Sequence, residues 1–162
     1  MAIDKIQSES INLADTFAFT GTVTGAGENN KPIFKVSGSS LSLSHNTWTK
    51  LTISSEAIDT GSCFDLGSNN RFTPNVAGKY LFILSIMSPT GTDVDYIGAS
   101  IYKNGSSAGG ANGQNLNYNS TVFSTILEAN GSSDYFEAYA EQESGGSLNI
   151  QVSEFSGFYI GN

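Results

Sequence analysis

The stretch Tyr80-Leu-Phe-Ile-Leu-Ser-Ile-Met87 is apolar at nearly every position. A strand with one wet face alternates apolar and polar residues, because successive side chains point to opposite sides of the sheet. Here Tyr80, Phe82 and Leu84 share one parity and Leu81 and Ile83 the other, so both faces of the strand need cover. In a chain of 162 residues, two packed sheets cover only one face of each strand. A second subunit is the expected cover for the other face. A loop or the N-terminal arm is the alternative.

Outward from this strand, helical periodicity is nearly absent and turn signals recur at short intervals. Strands are expected at 33–37, 48–54, 79–87, 97–103, 121–128, 135–141, 148–153 and 155–160. Asn104-Gly105 and Asn130-Gly131 mark hairpin-type turns that need positive φ. Many short strands with such turns predict an all-β antiparallel sandwich rather than a parallel sheet. Near the C-terminus, Phe155, Gly157 and Tyr159 alternate with Ser156, Phe158 and Ile160, so this strand also carries aromatics on both parities. Leu81, Ile83, Phe136, Phe158 and Tyr159 are the expected subunit contacts. A slip of one register would exchange them with the core.

The first residues read differently. Ile11, Leu13, Asp15, Phe17 and Phe19 share one parity, so Ile11 to Val23 is an extended amphipathic strand too short to bury itself. Its natural partner is another chain or a larger body. Gly25-Ala-Gly-Glu-Asn-Asn-Lys-Pro32 is a break by composition. Residues 1–30 are read as an anchoring arm and linker, with Ile11, Leu13, Phe17 and Phe19 making the attachment, and 31–162 as the head.

Charge and residue usage exclude several functions. Charged residues are 14% of the chain, the net charge is −8, and Arg71 is the single arginine. Phosphate neutralisation needs clustered Lys and Arg, so neither nucleic acid nor an anionic membrane is an expected partner. No run approaches the roughly 20 apolar residues of a membrane helix, and no apolar secretory segment follows Met1. The single cysteine, Cys63, permits no intrachain disulfide and reads as a small buried hydrophobe. The single histidine, His45, sits in a polar Ser-His-Asn turn with no nucleophile or orienting acid identifiable beside it. No enzyme and no cofactor are expected. Asp93 and Asp95 put two carboxylates in one extended loop, a set that could take calcium but otherwise reads as a solvated polar loop. The Gly-, Ser- and Asn-rich connection 104–119 offers amides and a ring at Asn112, Gln114, Asn115, Asn117 and Tyr118. Such a set suits recognition of a glycan or another polar receptor surface; a variable surface loop is the other reading.

Asp59, Phe64 and Arg71-Phe-Thr-Pro-Asn-Val-Ala-Gly-Lys-Tyr80-Leu-Phe82, then Lys103-Asn-Gly-Ser106, then Glu154-Phe-Ser-Gly-Phe158, occur in that order. Together they resemble the complement component 1q-type globular head, which shares the jelly roll of the tumour necrosis factor ligands. The resemblance spans about residues 33–162. It departs at Ile53 and Leu84, where aromatics are usual, in the spacing from Phe64 to Phe72, and at Gly131-Ser-Ser-Asp134. It implies a jelly-roll homotrimer, and some members of the family bind calcium. No Gly-x-y stalk repeat is present. The stalkless, leaderless, Ser/Asn/Gly-rich form is similar to modules of bacteriophage virions. The resemblance thus implies a virion surface protein: a capsid decoration knob or the tip of a short tail fibre. It would be attached to other virion proteins through the arm and would contact a host-cell glycan or protein. A free bacterial carbohydrate-binding or adhesion module is the alternative.

Overall fold

The structure, a computed structural model, describes residues 31–88, 94–114 and 120–161. The arm residues Ile11, Leu13, Phe17 and Phe19 lie outside the described residues, as do Asp93, Asn115, Asn117 and Tyr118.

The described residues form strands β1 (Ile33–Ser37), β2 (Leu41–Leu43), β3 (Thr49–Lys50), β4 (Ser55–Asp59), β5 (Phe64–Asp65) and β6 (Arg71–Phe72). These are followed by β7 (Ala77–Met87), β8 (Tyr96–Lys103), β9 (Ser106–Gln114), β10 (Ser120–Asn130), β11 (Phe136–Glu143) and β12 (Leu148–Gly161). They build two sheets. The first runs β10-β7-β12-β1-β4 with β2 added on β12; the second runs β5-β6-β11-β8-β9 with β3 added on β11. The strand pairings are antiparallel, as expected.

The core lies between the sheets and is mainly aromatic. Phe34 stacks on Phe72 at 4.3 Å, Phe82 lies 4.5 Å from Phe136, and Phe155 meets Phe34 edge-on at 4.9 Å. The motif residues Phe72, Tyr80 and Phe82 are thus part of one cluster, with Tyr80 Oη donating to the Val76 carbonyl at 2.7 Å. Asp59 closes its loop by accepting the amide protons of Cys63 and Phe64 at 3.0 and 2.9 Å. Cys63 is buried, and burial is the main cause pushing its thiol pKa up.

Several boundaries differ from the sequence reading. The segment 48–54 contains only the short β3, and Ser55–Asp59 forms a separate strand on the other sheet. β9 occupies most of what reads as a loop from 104 to 119: Ser-Ser-Ala-Gly-Gly-Ala-Asn-Gly-Gln has no apolar alternation and is held as a strand by backbone pairing to β8. β12 is one strand, not two; a bulge between Val152 and Glu154 resets its parity. The β8–β9 hairpin turns on Asn104 and Gly105, whose φ values of 52° and 79° are those of a tight two-residue hairpin loop.

Candidate assembly interface

β7 is the middle of the site. Its even residues Tyr80, Phe82, Leu84 and Ile86 are fully buried between the sheets. Its odd residues Leu81 and Ile83 are half-buried on the opposite face, and Met87 at the strand end is exposed. The expected division of this strand is therefore the observed one.

Register extends the outer face across neighbouring strands. Ile126 of β10 pairs with Leu81, Leu81 with Phe158 of β12, and Phe158 with Ile33 of β1. An apolar row thus crosses four strands in one line. Val122, 61% exposed, and Ile126, 56% exposed, extend it toward the β10 edge, and Ile58 extends the face on β4. One row away, Ser124, Ile83, Ser156 and Lys35 stand opposite one another. This side is polar: Lys35 Nζ pairs with Glu154 at 2.9 Å, and Ser156 Oγ donates to Glu154 at 2.7 Å. The Lys35 contact first, then the Ser156 hydroxyl, hold the Glu154 carboxyl below its ordinary range. Large aliphatic side chains left half in water on one sheet face are a surface that a protein contact can bury.

Two of the expected contact residues do not face outward. Phe136 is 0% exposed within the single chain, packed against Phe82, because its parity on β11 points between the sheets. Tyr159 pairs with Tyr80 and meets its ring at 5.4 Å, so it caps the inner core. Leu81, Ile83 and Phe158 share the outer face. Val122, Ile126, Met87, Ile33 and Ile58 are not among the expected contacts; in β10 the sequence carries the signal, since Val122 and Ile126 are apolar on one parity and Phe123 and Leu127 on the other.

The remaining candidates are dispersed. Asn112 and Gln114 fall on β9, paired with Gly98 and Tyr96 of the second sheet. Asp95 donates its backbone N–H to the Glu143 carbonyl at 2.8 Å. No group of three or more His, Cys, Asp or Glu among the described residues could hold a metal ion. His45 Nδ1 accepts the Gly145 amide proton at 3.1 Å, so the ring ties two turns together. Among the described residues no helix is long and apolar enough to cross a membrane.

No protein-family model matches the sequence, and no curated protein matches it. Solved structures do. The globular domain of zebrafish complement 1qA matches with a TM-score of 0.59 and 17% identity, over 82% of this chain and 99% of that domain. Eiger TNF from S. frugiperda matches with a TM-score of 0.60 and 12% identity, over 82% of this chain and 94% of that one. The PRD1 vertex protein P5 matches with a TM-score of 0.61 and 12% identity, over 83% of this chain and 99% of that one. The fold is the complement 1q and tumour necrosis factor jelly roll. At these identities the likeness is one of fold.

Proposed function

We propose that the chain is a homotrimeric jelly-roll knob displayed on a virion surface. In this reading three copies bury the outer faces of the β10-β7-β12-β1 sheets, residues 1–30 attach each chain to other virion proteins, and the free end of the head meets the host cell. The observation that carries it is the apolar row Ile126–Leu81–Phe158–Ile33, which the other described residues leave half-buried or, at Ile126, exposed. The likeness in fold to the PRD1 vertex protein P5 supports the virion setting. A three-fold ring cannot set one patch against itself, so each copy would present this face to a different surface of its neighbour. Capsid decoration and the tip of a short tail fibre are two placements of the same knob.

Gold-labelled antibody against the head tests this reading on purified particles. The expected result is label on intact virions, lost when residues 1–30 are deleted while the mass of the isolated assembly still corresponds to three heads. Label confined to free protein or to bacterial cell surfaces would contradict it and favour a bacterial adhesion module.

A further inference from the structure

The outward face of the second sheet has a different chemistry from the first. On β8 the outward positions are Tyr96, Gly98, Ser100 and Tyr102; on β11 they are Glu137, Tyr139, Glu141 and Glu143, with Lys50 of β3 opposite Tyr139. The alternate positions Ile97, Ala99, Ile101, Phe136, Ala138 and Ala140 are buried in the core. Tyr102 and Tyr139 stack at 3.8 Å with their planes 20° apart. Tyr96 Oη donates to Glu141 Oε2 at 2.6 Å. Gly98 and Ser100, between the two tyrosine ends, are buried, and the Ser100 hydroxyl donates to the Gly109 carbonyl at 2.8 Å.

We propose that this face binds an uncharged glycan. Tyrosine rings offer flat apolar surfaces to the C–H faces of a pyranose, while hydroxyls and carboxylates beside them accept the sugar's hydroxyl protons. Both components are present within one sheet face, and Tyr96, Tyr102, Tyr139 and Glu141 are each half-buried, with part of the side chain reaching solvent. Charge selects the sugar class. Lys50 is paired with Glu137, while Glu141 and Glu143 have no ion pair among the described residues. The face is net acidic on a chain of charge −8, so it repels sialylated, sulfated and uronic-acid glycans. A protein ligand fits less well, because among the described residues none of the exposed aliphatic side chains Ile58, Leu66, Met87, Val122, Ile126 and Ile160 belongs to β3, β8 or β11, and Trp48 just before β3 is the one exposed large apolar side chain beside them. Backbone pairing sets Asn112 beside Gly98 and Gln114 beside Tyr96, so β9 is the next strand of this sheet.

The proposal deepens the receptor-contact part of the surface-knob reading, but the binding itself needs neither the virion nor the trimer. The test is an array of immobilised neutral hexose and N-acetylhexosamine oligosaccharides beside sialylated and sulfated ones, followed by titration of the strongest neutral ligand. Neutral glycans are expected to bind, with Tyr139→Ala weakening affinity at least about tenfold, as for an anchoring aromatic. Glu141→Gln is expected to weaken it by a smaller factor. Ile126→Glu, on the other sheet, is expected to leave the affinity per chain unchanged even if it dissolves the assembly. Should Tyr139→Ala fail to fold, chemical-shift changes of the unmodified protein on titration are expected at Tyr96, Tyr102 and Tyr139. Failure to bind any neutral glycan, preference for acidic ones, capture of a protein receptor on this face instead, or shift changes located elsewhere would each overturn the proposal.

Discussion

Gly157 shows how one residue of a short motif follows from packing. A Cβ there would overlap Phe34 Cε1 and stand 3.0 Å from Phe82 Cε1, so only glycine lets β12 pass between the two rings. Gly157→Ala is expected to cost about 1–3 kcal/mol, the range for overpacked cores. At about 2–4 °C per kcal/mol for a domain of this size, the loss is measurable in a thermal melt. Glu154 gives a pH-dependent counterpart. Its folded-state pKa lies below the ordinary 4.5, mainly through Lys35. Its contribution is therefore full above that value and lost as pH falls through the folded-state value. Lys35→Met is expected to destabilise the head slightly at neutral pH, by less than about 1 kcal/mol for so exposed a pair. The difference from the parent is expected to vanish in acid, and melts across the pH range below 6 check it.

At the scale of elements, legibility followed residue type. β7 could be read because both parities carry large apolar side chains, and the split between Leu81 and Phe82 is the one observed. β9 could not, because glycine, serine and alanine contribute backbone hydrogen bonds without a hydrophobic pattern. Phe136 and Tyr159 were misplaced for a related reason: alternation says which residues share a face, not which face meets the other sheet. On β11 the inward parity is Phe136, Ala138 and Ala140 and the outward parity holds Tyr139 and its glutamates, so size alone points to the wrong side. The tyrosine face went unread because its members come from strands 40 residues apart and meet only through the β8–β11 register. At the other sheet, Ile126→Glu changes a residue already more than half exposed in the single chain. It is expected to leave the melting of an isolated head near the parent's and to weaken self-association by at least about 1.5–3 kcal/mol, the burial of one such side chain. Sedimentation equilibrium measures the shift.

For the whole molecule, the two sheets share a core but present unlike outer faces. One is aliphatic across four strands, and the other is lined with tyrosine and glutamate. The aliphatic face is suited to a second copy of the chain and the tyrosine face to a hydroxyl-rich ligand. In the proposed assembly the apolar outer face of the β10-β7-β12-β1 sheet drives self-association. Native mass spectrometry of the purified chain at micromolar concentration tests it most directly. A species of three times 17.1 kDa is the expected result, and a stable monomer of 17.1 kDa would contradict it.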